Sequence, residues 1–277
     1  MPERVKLGQC GHMNEAIAAF VRRNDPDRFL TALFAPPHKR DALLTLYAFN
    51  HEIARAREAV SEPPLALIRL QWWREVVEGA RRRHEVADPL VAAIDSGELH
   101  RSDLLALIDA REVEAEPTIE TLAGWRDYLM AGAGGLAVAA ARLLGADNPE
   151  ILRARGAAYG AAGVLRSVPV LARQRRCLLP MDILAEHGLS PEAVIAGPDV
   201  PLVLRQLANT ATGWLSGPAT VPAAWCRFPL TGAGERQRRG HRRLPGGVRL
   251  PTVRPAVTCR MSPSRLSPLE TELLRRA

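Results

Sequence analysis

The chain has 277 residues, 47% hydrophobic and only 5% aromatic, with four cysteines and a formal net charge of +7. Its length suffices for a full hydrophobic core, while no run approaches the ~20 apolar residues that span a bilayer, and acidic Glu3 without an apolar h-region argues against a signal peptide. The positive charge is local: residues 225–265 hold ten Arg and one Glu, so the remainder is slightly acidic and selects no partner through a globally basic field.

Ala, Leu, Arg and Glu dominate, which favours helices by intrinsic propensity. A short amphipathic helix is predicted over Met13–Arg23. The next covers Asp41–Val60, where Leu43, Leu46, Phe49, Ile53, Ala56 and Val60 recur at spacings of three or four and mark a buried face. Beside that face runs a second stripe, Tyr47, His51, Ala54 and Glu58. Pro63-Pro64 sets a corner before a helix over Leu65–Arg82; Trp72 and Trp73, being adjacent, cannot share one of its faces, so one is expected in the core and the other at an interface. Arg81-Arg82-Arg83 reads as plain surface.

Shorter helices are expected over Pro89–Ile94 and Ser102–Glu114, with Ser102 as N-cap. On the second, Asp109, Arg111, Glu112 and Glu114 are expected to pair along their own helix at exposed positions. Ile119–Leu144 reads as one long helix interrupted by Gly132, Gly134 and Gly135. Each glycine costs roughly 1 kcal/mol relative to Ala, which points to a close helix approach or a kink beside a cavity. Asn148-Pro149-Glu150 and Ser190-Pro191-Glu192 are helix starts. Gly156–Leu171 presents Gly163, Ser167 and Leu171 at i, i+4 and i+8, with Arg166 beside them, and ends in a basic turn, Arg173-Gln174-Arg175-Arg176, before Pro180. Val200–Leu215 is the last helix predicted. No strand alternation of useful length and no internal repeat occurs.

After Ala224 the composition changes. Residues 225–265 contain five Pro and five Gly, no Lys, and no helical period. The chain therefore divides into a helical domain, residues 1–224, and a basic segment, residues 225–277. Two readings of that segment stay open: a disordered extension, or an out-of-frame stretch of a GC-rich gene, which the 35 Arg against 2 Lys in the whole chain would suit. Interspersed prolines argue against a nucleic-acid binder. The cysteines, Cys10, Cys177, Cys226 and Cys259, form no C-x-x-C pair and read as isolated thiols of a reducing compartment.

Facing helices with inward stripes are where bundles build sites. The two stripes here are nearly free of carboxylates, so a helix face satisfied by its neighbours stands as the alternative to a cavity wall. Arg166, Arg173, Arg175 and Arg176 form an anion-binding candidate, since guanidinium forks match phosphate oxygens; the alternative is a solvated helix end, where cations complement the dipole.

Tyr47-Ala48-Phe49, the Leu165–Val168 segment and Leu179-Pro180 resemble the squalene/phytoene synthases, all-α enzymes that join two prenyl diphosphates head to head. The resemblance implies a single helical bundle around a central cavity, with an Asp-rich motif on each of two facing helices holding Mg²⁺ against the diphosphates. Laid on this chain, the first motif's two defining Asp positions fall at Ala54 and Glu58, with Arg55 where a further Asp is usual. The second motif's fall at Ser167 and Leu171, with Gly163 in place of the usual Asn. His51 stands where catalytic members have Arg, and Pro26-Asp27-Arg28-Phe29 keeps only the Phe of the family's early Ser-x-Ser-Phe.

Ala48-Phe49-Asn50, Val60-Ser61-Glu62, Gln71-Trp72-Trp73, Asp109-Ala110-Arg111-Glu112 and Leu179-Pro180-Met181-Asp182-Ile183 with His187-Gly188-Leu189-Ser190 are similar to the branch that includes the mitochondrial complex I assembly factor with a squalene/phytoene synthase domain, which also lacks full acidic motifs. This implies a non-catalytic, cytoplasmic protein peripheral to the inner membrane. Its expected partners are respiratory complex I subunits and a prenyl diphosphate or anionic lipid held by Tyr47, Arg166, Arg173 and Arg176. No cofactor is expected. The competing expectation is a prenyl transferase of isoprenoid synthesis, which would require Mg²⁺ and leave Glu58 as its remaining candidate metal ligand.

Overall fold

The structure, a computed structural model, describes residues 14–60, 62–116 and 118–215. The division placed after Ala224, the basic segment and three of the four cysteines lie outside the described residues.

Local chemistry starts most of the helices. Helix α1 (Glu15–Asn24) is capped by the Asn14 side chain, which accepts the Ile17 N–H. Asp25 caps α2 (Pro26–Ala32) in the same way through the Arg28 N–H, with proline at the first helical position. Prolines likewise open α3 (Pro37–Ala54) and α4 (Pro63–Glu78). Then come α5 (Ala87–Asp95) and α6 (Arg101–Glu112), the latter running into a 3₁₀ turn, Val113–Ala115. Helix α7 (Leu122–Ala131) and α8 (Ala133–Leu143) precede a second 3₁₀ turn, Pro149–Leu152. Helix α9 (Arg153–Arg173) is the longest, and α10 (Met181–Glu186), α11 (Pro191–Ala196) and α12 (Pro201–Gly213) follow. No strand occurs among the described residues.

Several boundaries depart from the sequence expectation. Helix α3 stops at Ala54 rather than Val60. Ala56 is nevertheless buried, because the turn that follows carries it into the core, so the apolar period outlasts the helix. His100, not Ser102, holds the N-cap position of α6. The predicted helix over Ile119–Leu144 is two, since Gly132 takes a non-helical ψ of −86° between α7 and α8. Asn148-Pro149-Glu150 starts a 3₁₀ turn that leads into α9, and the helix expected to reach Arg82 ends at Glu78.

Two apolar cores form. One gathers α1–α6 and α8 around Phe49, Leu46 and Trp73; the other gathers α7 and α9–α12 around Trp125, Leu179 and Leu207. They are joined where α8 crosses α9 at a close approach. A Cβ on Gly156 would stand 2.6 Å from the Ala133 carbonyl oxygen, and one on Gly160 would stand 2.5 Å from Ala133 Cβ. Only glycine permits this spacing.

The end of α9 is a Schellman motif. The Arg176 N–H donates to the Leu171 carbonyl, the Arg175 N–H donates to that of Ala172, and Arg175 sits at φ 57°. The chain then pairs with the segment after α6: Met181 and Asp182 donate N–H groups to the Ile119 and Glu120 carbonyls, and the Asp182 carboxylate accepts the Leu122 N–H. That tie brings Arg176 back toward the 3₁₀ turn after α6.

Candidate functional site

A cavity of about 430 Å³ opens between α3 and α9. Asn50, His51 and Ala54 line it from α3, and Gly163, Arg166, Ser167 and Leu171 line it from α9. The two sequence stripes therefore do face each other. Glu58 and Arg166 are exposed at its rim, Glu58 in the turn after α3 rather than on the helix.

The charged centre of the cavity is Glu114, on the 3₁₀ turn and only 6% exposed. It accepts from Arg111 Nη1 at 2.6 Å, Tyr128 Oη at 2.8 Å and Arg176 Nη2 at 3.0 Å. Arg111 also donates to Asn50 Oδ1 at 3.4 Å. Burial alone pushes the Glu114 carboxyl up, but the adjacent Arg111 and Arg176 guanidinium groups outweigh it and hold the pKa below the ordinary carboxylate value. Burial beside that carboxylate pushes the Tyr128 phenol up, so it remains a donor. Two guanidinium groups against one carboxylate leave a local excess of positive charge.

This cluster corrects the expectation that Asp109, Arg111, Glu112 and Glu114 pair along one exposed helix face. Asp109 and Glu112 instead both bind Arg74 of α4, each at 2.7 Å. Arg111 and Glu114 do pair at i, i+3, but they turn inward. Arg176 lines the cavity, where it is already engaged by Glu114. Arg173 is exposed and lies outside the cavity lining. Tyr47 also lies outside it: the Arg28 guanidinium stands 5.7 Å from its ring centre and 5.1 Å from that of Tyr159, and burial pushes the Tyr47 phenol up to about 12. Of the four residues proposed to hold a ligand, Arg166 and Arg176 line the cavity.

The positions aligned with the family's acids offer almost no metal ligands. Ala54 and Leu171 have no side-chain oxygen. The Ser167 hydroxyl donates to the Gly163 carbonyl one turn back in its own helix, at 2.9 Å. Of the other acids near the rim, Asp25 is held by Arg28 at 2.5 Å. Mg²⁺ prefers an octahedral oxygen set, and no group of three or more His, Cys, Asp or Glu side chains converges among the described residues. The donor set does not fit the metal centre of the family's enzymes. Gly163 faces open space, with nothing within 4 Å of a Cβ built on it.

His51 packs edge-on against Phe20, with ring centres 5.5 Å apart, and its Nε2 is buried without a hydrogen-bond partner among the described residues. Burial pushes its pKa down, so the imidazole is neutral at pH 7.

The squalene/phytoene synthase family model matches residues 21–220. The human NADH dehydrogenase (ubiquinone) complex I, assembly factor 6 is 29% identical over 180 residues, covering 62% of this chain and 54% of that protein. A presqualene diphosphate synthase of Sinorhizobium fredii is 24% identical over 189 residues, covering 64% of this chain and 67% of that enzyme. The chain thus spans about half the length of the assembly-factor relatives it matches. The fold superimposes on a dehydrosqualene synthase crystal structure with a TM-score of 0.62 at 16% identity, over 78% of this chain and 77% of that one.

Proposed function

The chain belongs to the squalene/phytoene synthase family, and from that premise we propose that it is a non-catalytic member acting as an assembly factor-like protein for respiratory complex I. The observation that carries the proposal is the composition of the two facing stripes. Ala54, Ser167 and Leu171 stand where the catalytic relatives carry metal-binding acids, and the one hydroxyl among them is spent on its own helix. Ionising a prenyl diphosphate needs charge stabilisation on the leaving group, which bound metals supply as Lewis acids. Losing about 4 kcal/mol of it slows the step roughly a thousandfold. The similarity to complex I assembly factor 6 supplies the partner.

The cavity itself is retained, and in this reading it holds a prenyl phosphate or anionic lipid without turning it over. Arg166 at the rim and the excess positive charge around Glu114 supply the attraction. Leu129, Leu136 and Val164 supply an apolar wall. Tight binding would raise the melting temperature in proportion to RT ln(1 + [L]/Kd), and Arg166→Ala should reduce the shift given by farnesyl phosphate.

The second reading, a prenyl transferase, is favoured by the same retained cavity and by the similarity to presqualene diphosphate synthase. One assay separates the two. Purified protein given farnesyl or geranylgeranyl diphosphate and Mg²⁺ is expected to release no diphosphate above background. In cells, loss of the gene is expected to lower complex I activity and leave terpenoid levels unchanged. Metal-dependent formation of squalene, phytoene or a cyclopropyl intermediate defeats the non-catalytic reading.

A further inference from the structure

The deep end of the cavity carries donors that nothing accepts. Arg176 is only 9% exposed and gives one hydrogen bond, from Nη2 to Glu114; its Nε and Nη1 have no partner among the described residues. Asn50, 7% exposed, spends its Oδ1 on Arg111, and its amide nitrogen is likewise unpartnered among the described residues. The unpartnered side-chain nitrogens sealed inside the protein are those of His51 Nε2 and Trp125 Nε1. The free donors of Arg176 and Asn50 are therefore not sealed, and both side chains line the cavity. Guanidinium and amide N–H groups held in place by a buried carboxylate and a neighbouring arginine suit an oxyanion.

The charge of that oxyanion follows from what surrounds it. Arg111 and Arg176 against Glu114 leave one positive charge in excess at the deep end. The mouth adds none. Asp25 is held by Arg28 at 2.5 Å, and the exposed Arg166 is outnumbered by the exposed Asp27 and Glu58, all lining the same cavity. The wall of Ala54, Ser167 and Leu171 has no carboxylate with which to recruit a compensating cation. A head with one negative charge is thus neutralised where it sits. A second or third charge would stay desolvated without a counter-charge or face Asp27 and Glu58 at the mouth, and either is costly.

We propose that the cavity selects an amphiphile whose head carries a single negative charge, a carboxylate or a phosphodiester, seated on Arg176 and Asn50 with its hydrocarbon along Leu129, Leu136 and Val164, and that it discriminates against prenyl diphosphates. The proposal rests on the reading that the cavity holds a ligand without turning it over, and it names the class of that ligand.

The test is isothermal titration calorimetry of the full chain at pH 7.5, in EDTA, against four ligands that share one tail. Farnesoic acid and farnesyl methyl phosphate carry one charge, farnesyl phosphate carries about two, and farnesyl diphosphate carries more. Salt at about 0.5 M screens attraction to exposed arginines, including those of residues 225–265, far more than attraction to a buried seat. The tighter of the two singly charged ligands should bind about tenfold more strongly than farnesyl phosphate, and the diphosphate should bind no better than the phosphate. Glu114→Gln raises the excess at the seat to two positive charges and should move the preference to farnesyl phosphate, a reversal that mere loosening of the cavity would not produce. If that variant does not fold, the order on the unaltered chain decides. Three results overturn the proposal and leave the ligand-holding reading standing: phosphate or diphosphate binding as tightly as the singly charged ligands, diphosphate becoming the tightest once Mg²⁺ is added, or a folded Glu114→Gln variant that keeps the original order. If none of the four ligands binds, the ligand-holding reading falls and takes the proposal with it.

Discussion

Two walls of one cavity have been treated in opposite ways. Along α3 and α9, Ala54, Ser167 and Leu171 line the cavity without a carboxylate among them. Around the turn after α6, Glu114 gathers Arg111, Tyr128 and Arg176 from three separate segments and stays charged in the interior. Carboxylates facing one another without a metal repel, so on the proposed non-catalytic reading their absence from this wall favours the fold. A buried acid with two guanidinium partners is different, because removing one member leaves the others charged and unpaired. An acid that neutralises buried guanidinium partners, as Glu114 does, is therefore the costly one to remove.

The largest expected effect follows from that asymmetry. Glu114→Ala should destabilise the protein by about 3–5 kcal/mol, the usual cost of breaking a buried pair. Ser167→Ala should change stability by less than about 1 kcal/mol, because its hydroxyl serves only its own helix. Denaturant unfolding of both variants checks the contrast, and equal losses would erase it. The pH dependence has a defined sign. The folded pKa of Glu114 lies below its unfolded value, so its contribution is full above the unfolded pKa, near 4.3, and is lost as pH falls through the folded pKa. The stability gap between the unaltered chain and Glu114→Gln should therefore narrow on acidification below about pH 4.

Two glycines on α9 sharpen the comparison. Gly160→Ala must push Ala133 away and should cost about 1–3 kcal/mol by overpacking. Gly163→Ala, one turn on, faces open cavity and should gain about 0.5–1 kcal/mol from helix propensity. Opposite signs in thermal melts would establish that the cavity wall is unfilled at Gly163; a loss at both positions would close it.

A smaller gain, about 1 kcal/mol, is expected for Arg175→Gly, which relieves the left-handed backbone at the end of α9. Because Arg176 follows directly in that turn, the variant should keep the Glu114 cluster intact. A loss of stability would mean that the Arg175 side chain contributes more than its backbone costs.

The legible parts of the fold carry local chemistry. Ser190 caps α11 through the Ala193 N–H as its Ser-Pro-Glu start implies, and the glycine interruption expected in Ile119–Leu144 falls at Gly132 between α7 and α8, whereas α2, which opens at Pro26, had no signal that was read. The inward stripes were equally legible, since each depends on spacing within one helix, whereas the acid positions came only from the family resemblance. The end of α3 was not, because a tight turn keeps Ala56 buried and so prolongs the helical period past the last helical residue. The Glu114 cluster was not either. Arg111 and Glu114 at i, i+3 resemble any solvated pair, and nothing near them marks Tyr128 and Arg176, 14 and 62 residues further along, as partners.

By itself, then, the sequence determined the all-α class, the Ser190 helix cap and the family resemblance, because each is written in neighbouring residues or in a period of three to four. Tertiary structure alone decided that Arg176 is spent on Glu114, that Arg173 and Tyr47 lie outside the cavity, and that α8 and α9 touch at Gly156 and Gly160. Those outcomes depend on which distant segments share a desolvated volume, where an unpaired charge or an extra methyl group is costly.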